Sequence, residues 1–371
     1  MQLSNCNVPC ESVKIHNNNS NRASVWLWTK LFRLAMRALN VRSEWFVTSH
    51  YRPKYVADIG TWSDPASPAP NVAVLLQGPL VHNEQFTLNT VQLYQQLFPA
   101  CQLIVSTWEG EDTRAVSAMR RLGVEVLQSK LPEHPGPLNV NYQITSAKKG
   151  VERAGELGCE FVLKTRCDLR IYAPNVAEFL CNLTDAFPLR TDYDQRRRIV
   201  SVSRNTMKFC PYCVSDMVVF GHIDDMMTFW SAPHRSDVLP DGYRDVLGQI
   251  ARYKSPESYL TSRYLEQIGR GVVWSLEDSW QALADHFCIV DWESLDIYWP
   301  KYAPHNEYFG RNYQAVTSSQ LVDFCEWLSL YQGLTNDEAL RHSEQILELE
   351  LGQPLSGASP GKPDCRSGKA A

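Results

Sequence analysis

Between residues 72 and 170 short apolar runs alternate with stretches whose apolar positions recur at helical spacing. Val72–Leu76 is an apolar run that ends at Gln77-Gly78-Pro79, and Phe86–Phe98 follows with Leu88, Val91, Leu93, Tyr94 and Leu97. Leu103–Val105 runs into Ser106-Thr107-Trp108-Glu109, and a helical pattern covers Thr113–Leu122. Val124–Leu127 is a third apolar run, Tyr142–Leu157 a third helical stretch, and Phe161 opens a fourth run. Short apolar runs separated by amphipathic helices predict an α/β fold, a mostly parallel sheet with helices on both faces. In such sheets ligands bind outside the carboxyl ends of the strands. The loops at Gln77, Ser106 and Asp168 are therefore expected on one edge.

The fourth run starts apolar and then alternates, Phe161-Val162-Leu163-Lys164-Thr165-Arg166-Cys167-Asp168-Leu169-Arg170. Continued as a strand, it puts Lys164, Arg166, Asp168 and Arg170 on one face and Thr165, Cys167 and Leu169 on the other. Charges on a strand that begins buried are costly to dehydrate unless paired. A phosphate-bearing ligand near a metal would satisfy the cations and the carboxylate together. An exposed edge strand that deters aggregation with charge is the other reading. Further on, Ile199–Ser203 and Val214–Phe220 read as strands, and Asp224–Trp230 and Pro256–Gln267 as helices. Residues 286–316 read as irregular structure over or beside the site.

The ends have a different texture. Residues 1–23 are polar and rich in Asn and Ser, and predict a disordered leader. From Ser24, a candidate N-cap, to Phe46 the pattern is helical, with Trp26, Leu27, Leu31, Leu34, Leu39 and Trp45 apolar. Lys30, Arg33, Arg37 and Arg42 are interspersed, with no acid before Glu44. Such a segment can lie on an anionic membrane or dock on its own domain. Residues 62–71 form a Pro-rich linker, Val316–Glu350 is helical, and a Gly/Ser/Pro/Lys-rich tail follows Gly352.

Composition narrows the classes. Of the 371 residues 44% are hydrophobic and 21% charged, as in soluble globular proteins. A net charge of −5 leaves no basic footprint for nucleic acid. No apolar run is long enough for a membrane span, and the N-terminus lacks the layout of a secretory signal. Eleven scattered cysteines with no export signal are expected as reduced thiols in a cytosolic protein.

Gln77-Gly78-Pro79, Phe98-Pro99, Ser106-Thr107-Trp108-Glu109, Asn139-Val140-Asn141-Tyr142-Gln143, Lys164 to Arg170, Ser215-Asp216 and Ser255-Pro256-Glu257 occur in that order. As a set, over roughly residues 70–310, they resemble the WavE lipopolysaccharide-synthesis family of bacteria. The resemblance implies a GT-A-like glycosyltransferase, an open and mostly parallel twisted sheet flanked by helices, here with a C-terminal helical extension. The implied division is a leader over 1–23, an amphipathic helix and linker over 24–70, and a glycosyltransferase domain over 71–316. A C-terminal helix over 317–351 and a disordered tail over 352–371 complete it. The reaction implied moves a sugar from a nucleotide-sugar donor to a lipopolysaccharide core or another lipid-linked surface glycan. That places the enzyme in the cytoplasm, or peripherally on the inner face of the bacterial inner membrane through residues 24–46.

GT-A enzymes usually carry Asp-x-Asp, which holds a divalent metal against the donor diphosphate. Here Arg166 occupies the first position and only Asp168 remains. An arginine can neutralise phosphate directly, so the site either binds Mn²⁺ or Mg²⁺ through Asp168 alone or needs no metal. Glycosyl transfer requires cations at the leaving diphosphate and a carboxylate to take the proton of the acceptor hydroxyl. Lys164, Arg166 and Arg170 suit the first demand, unless Arg170 and Asp168 form a structural ion pair. Glu257 suits the second: Ser255 reads as an N-cap, Pro256 as the first helical residue, and the helix end would keep the carboxylate ionised. An acid there also simply stabilises its own helix. Asp216 and the Asp224-Asp225 pair compete for the role.

Gln77, Gly78, Thr107, Asn139, Asn141 and Gln143 are candidates for the donor side, because amides offer both donors and acceptors. Turn-making and helix capping are the plainer roles for the two asparagines. His134 and His305 sit in Pro-containing loops near the expected site. Cys210-Pro211-Tyr212-Cys213 has redox spacing, but the strand-like sequence after it argues against a lowered thiol pKa. Two other functions remain open. A nucleotidyltransferase would want a lysine in the loop after the first strand, which Gln77 to His82 lacks. A non-catalytic glycan-binding protein could use Trp292, Tyr298, Trp299 and Tyr302 as stacking surfaces.

Overall fold

The computed structural model describes residues 19–42, 50, 52–55, 71–236, 238–301 and 320–333. The chain forms two compact units, Met1–Pro53 and Lys54–Ala371. The first holds α1 (Asn19–Arg42), which begins five residues before the expected cap at Ser24. From residue 27 on, 3.6 residues per turn puts Trp28, Leu31, Ala35 and Leu39 on the face opposite Lys30, Arg33 and Arg37. Trp28, Leu31 and Leu39 are exposed. No helix among the described residues is long and apolar enough to cross a membrane.

The second unit is built on the βα alternation. Its first half runs β1 (Val72–Gln77), α2 (Phe86–Leu97), β2 (Gln102–Trp108), α3 (Thr113–Arg121), β3 (Glu125–Ser129), α4 (Val140–Glu156) and β4 (Phe161–Arg166). Then follow β5 (Arg170–Ile171), α5 (Val176–Ala186), β6 (Ile199–Val202), β7 (Val219–His222), α6 (Ile223–Phe229), α7 (Leu247–Tyr253) and α8 (Pro256–Gln267). The unit continues through α9 (Leu276–His286), β8 (Phe287–Val290), β9 (Ile297–Tyr298) and α10 (Phe324–Tyr331). Seven strands form one sheet in the order β3-β2-β1-β4-β7-β6-β8, and β5 pairs with β9 in a second. In the large sheet β1 is parallel to β2 and β4, and β7 runs antiparallel to both β4 and β6. This is the open, mostly parallel sheet flanked by helices that the sequence predicts.

Every residue of β1 is buried, which is why Val72–Leu76 shows an unbroken apolar run. Helix α4 packs close on β1 because Gly150 has no side chain: a Cβ there would lie 2.2 Å from Leu75 Cδ1. Strand order reverses at β1, with β2 and β3 on one side and β4 on the other, so the crevice at the carboxyl ends of β1 and β4 is the switch point. Gln77 is level with Ser106 on β2 and with Arg166 on β4. The loops at Gln77, Ser106 and Asp168 do open on one edge.

Several local expectations differ. Strand β4 does not continue to Arg170: it stops at Arg166, the chain turns with Leu169 N–H donating to Arg166 O, and Arg170 belongs to the second sheet. Nor is β4 an edge strand, since it lies between β1 and β7. Residues 214–218 are not strand. Their carbonyls at Ser215 and Asp216 are taken by the side chains of Ser201 and Lys164, so the segment is buried without a ladder. Within 286–316, Phe287–Val290 is a buried strand that follows α9 without a turn, which left no boundary signal to read. Helices α5, α7 and α9 were not expected from the periodicity. Of the leader expected over 1–23, residues 19–23 are helical, and of the helix expected over 317–351 only Phe324–Tyr331 is helical among the described residues 320–333. Residues 1–18, 317–319 and 334–351, residues 62–70 of the linker, Tyr302, His305 and the tail lie outside the described residues.

Candidate active site

A cavity of about 480 Å³ opens at the switch point. Its wall includes Gln77, Gly78 and Pro79 after β1, Trp108 at the end of β2, and Leu138, Asn139, Tyr142 and Gln143 at the start of α4. Arg166 and Asp168 after β4, Asn205, Asp216 and Met217 beside β6 and β7, Pro256 and Glu257 of α8, and Trp299 and Lys301 complete it with Leu131. Eight of the expected catalytic, donor-binding and metal residues therefore meet here: Gln77, Gly78, Asn139, Gln143, Arg166, Asp168, Asp216 and Glu257.

Each is placed by local chemistry. Gly78 has φ +112°, a conformation other residues rarely adopt, and its N–H donates to Ser106 O. Gln77 Nε2 donates to Ser146 Oγ at 2.7 Å, tying β1 to α4, while its Oε1 is buried with no hydrogen-bond partner among the described residues. Leu138 and Asn139 both have left-handed backbones just before α4, and Asn139 does not cap that helix through its side chain. Gln143 Oε1 and Asp216 Oδ2 on the same wall are likewise buried without a partner among the described residues. Buried acceptors of this kind are costly unless a ligand or water supplies a donor.

Glu257 sits as the sequence predicts. Ser255 caps α8 by accepting from Ser258 N–H, Pro256 is in the first turn, and Ser255 Oγ donates to Glu257 Oε2 at 3.0 Å. Its ionisation differs from expectation. Burial, with the Asp216 carboxylate as the second cause, raises the Glu257 carboxyl to about 7, overriding the helix end.

Arg166 and Asp168 form a close pair, Nε to Oδ1 at 2.8 Å and Nη2 to Oδ2 at 3.2 Å. Trp299 Nε1 donates to the same Oδ2 at 3.1 Å, and the guanidinium lies 5.5 Å from the Trp299 ring centre. Burial alone would raise the Asp168 carboxyl, but the bonds and charge of Arg166 overcome it and hold it below its ordinary value. An all-protein cation site gathers several converging oxygen or nitrogen ligands, whereas a cation shared with a phosphate ligand needs only one or two free carboxylates. Among the described residues no three His, Cys, Asp or Glu side chains come together in that way. With Asp168 already engaged by two neighbours, the residues present do not fit a ready metal site.

Four of the expected donor residues are not on this wall. Lys164 is fully buried; its Nζ donates to the Asp216 carbonyl and lies 4.8 Å from the Trp230 ring centre. Burial lowers its pKa to about 8, with Asp216 pulling the other way. It positions the Asp216 segment. Arg170 does not pair with Asp168: Nε donates to Thr90 Oγ1 at 2.7 Å, Nη2 to Phe86 O and Nη1 to Lys54 O. Thr107 donates to Glu111, and Asn141 clamps the backbone of His134 and Arg235. Strand alternation could not separate Lys164 and Arg170 from Arg166, because their partners come from distant segments.

The remaining candidates also lie elsewhere. Asp225 accepts from the N–H groups of Arg196 and Arg197, and Asp224 is exposed at the start of α6. Burial raises the Asp225 carboxyl to about 6. Cys210 and Cys213 are buried free thiols. His134 is not on the cavity wall, and its carbonyl accepts from Asn141 Nδ2. Trp292 is core, whereas Trp299 faces the cavity. Lys301 was missed; the dense aromatic and charged run around it was its only signal.

At the switch point Arg166, the carboxyl groups of Asp168, Asp216 and Glu257, and the amides of Gln77, Asn139 and Gln143 line one cavity. Residues 72–339 match the family described as WavE lipopolysaccharide synthesis, and the chain belongs to that family. No curated protein matches the chain. Similar solved structures include a cytidylyltransferase from Leptospira borgpetersenii serovar Hardjo-bovis, 12% identical, with TM-score 0.27, covering 45% of this chain and 66%, just under two thirds, of that one. A core-mannan synthase A from Aspergillus fumigatus in its Mn/GDP form is 8% identical, with TM-score 0.32, covering 76% of this chain and 89% of its own. A mannosyltransferase from Pyrobaculum calidifontis in complex with GDP-Man and Mn²⁺ is 13% identical, with TM-score 0.32, covering 92% and 87%.

Proposed function

We propose that the chain transfers a sugar from a nucleotide-sugar donor to a hydroxyl of a lipopolysaccharide core or another lipid-linked surface glycan. The observation that carries this reading is the meeting of Arg166, after β4, with Glu257, in the first turn of α8, on the wall of one polar cavity. Glu257 takes the proton of the acceptor hydroxyl, whose oxygen forms the new bond to the sugar C1. The bond from C1 to the donor phosphate breaks, and its electron pair leaves on the diphosphate, beside the Arg166 guanidinium. A carboxyl with a pKa near 7 is matched to this task, being ionised in part of the molecules and still basic enough to accept a proton. Burial, with Asp216 as the second cause, keeps it there by opposing its ionisation. Gln77, Asn139 and Gln143 face the donor, and the unpartnered oxygens of Gln77, Gln143 and Asp216 suit a ligand rich in hydroxyl and amide hydrogens.

The acceptor is carried on a membrane, and α1 supports a peripheral contact at the cytoplasmic face. Its 24 residues include Arg22, Lys30, Arg33, Arg37 and Arg42 and no acid. An apolar face opposite such a basic face is the composition that binds anionic lipid surfaces.

The test is release of the nucleotide from UDP-, GDP- and CMP-linked sugars, alongside calorimetric binding of UDP, GDP and CMP. Binding of one nucleotide and turnover of its sugar conjugate are expected. Absence of both would remove the transferase reading and leave a glycan-binding protein. Release of pyrophosphate from a nucleoside triphosphate would replace it with a nucleotidyltransferase.

A further inference from the structure

We infer, resting on the nucleotide-sugar reading above, that the pocket holds the donor diphosphate through the Arg166 guanidinium fixed between Asp168 and Trp299, and not through a divalent cation. Asp168 receives three hydrogen bonds from these two side chains, on both of its oxygens. A cation at Asp168 would have to displace donors already 2.8–3.2 Å from those oxygens and would sit against a like-charged guanidinium. No other pair of His, Cys, Asp or Glu joins Asp168 to make a ligand set among the described residues.

The same contacts leave the guanidinium ready for an anion. Asp168 uses Nε and Nη2, so the two N–H groups of Nη1 have no hydrogen-bond partner among the described residues. Arg166 lines the cavity and is three-quarters buried, which strengthens its interaction with charge. Its plane is held by a bidentate carboxylate and by the Trp299 ring, so a phosphate meets a fixed fork. Lys301 adds a second cation to the same wall. Asp168 is thereby a positioning residue for Arg166 and takes no metal.

Calorimetric titration of UDP and GDP into the full chain, with excess EDTA and separately with Mn²⁺, tests this. The nucleotide that binds should do so with the same Kd, within about threefold, in both conditions. Arg166→Lys should weaken it about tenfold or more, because the fork is lost while a charge remains. Arg166→Asp, which supplies a second carboxylate two residues before Asp168, should bind only when Mn²⁺ is present. Circular dichroism melts of both variants report whether they fold, and the wild-type comparison needs neither. Wild-type binding that requires Mn²⁺ would overturn the inference and leave the transferase reading standing. Wild-type affinity unchanged by Mn²⁺ but also unchanged by Arg166→Lys would overturn it too. No nucleotide binding under either condition would overturn the transferase reading itself.

Discussion

Glu257→Gln keeps the shape of the side chain and removes its proton chemistry, so it separates two consequences of the same environment. In the folded protein burial and Asp216 raise the carboxyl from 4.5 to about 7. In the unfolded chain it ionises near 4.5. Between these values the unfolded chain gives up a proton that the folded chain retains. The protonated carboxyl's full contribution to stability is therefore present below about pH 4.5 and is lost as pH rises through about 7. The gap corresponds to about 3 kcal/mol, to order of magnitude. The glutamine variant has no such dependence. Relative to wild type its Tm should climb by about 5–10 °C between about pH 4.5 and pH 8. Sugar transfer should fall about 10²- to 10⁴-fold, and the rise of wild-type kcat/KM through about pH 7 should disappear. Scanning calorimetry across that range and a nucleotide-release assay read both. A Tm difference flat with pH would show that the carboxyl does not titrate near neutrality in the folded protein. Transfer within about threefold of wild type would remove Glu257 as the base.

Two further outcomes separate frame from site. Arg170→Met leaves Thr90, Phe86 and Lys54 without their donor, and should cost about 2–4 kcal/mol in a denaturant melt while leaving nucleotide Kd unchanged; a tenfold loss of affinity would return Arg170 to the donor site. The full chain should float with vesicles containing anionic phospholipid but not with phosphatidylcholine alone, less so at high salt, and Trp28→Glu with Leu31→Glu should abolish it. Equal flotation of variant and wild type would remove α1 as the contact.

The ordering of β1 to β4, the edge on which their loops open, and the cap at Ser255-Pro256-Glu257 were legible in the chain, because each is a local matter. Burial on both faces writes an unbroken apolar run into β1, and a helix start needs only a hydroxyl, a proline and an acid in succession. The family motifs, taken in order, carried the same information toward function. Residues 214–218 were misread for a related reason. An apolar segment satisfied by the side chains of Ser201 and Lys164 looks, from its own composition, like one satisfied by a ladder.

What tertiary structure alone decided is which of the charged residues face the cavity. Lys164, Arg166 and Arg170 are equivalent under strand alternation, yet one holds a carbonyl of the Asp216 segment, one faces the cavity, and one braces α2. The ionisation of Glu257 was decided in the same way: its own helix end argues for a charged carboxylate, while Asp216, forty-one residues earlier, and the surrounding burial argue for a proton. Periodicity along a chain reports solvent and core, because those repeat with the backbone. Pairing and desolvation of a single charge depend on atoms brought from far away in sequence, and only the folded chain supplies them.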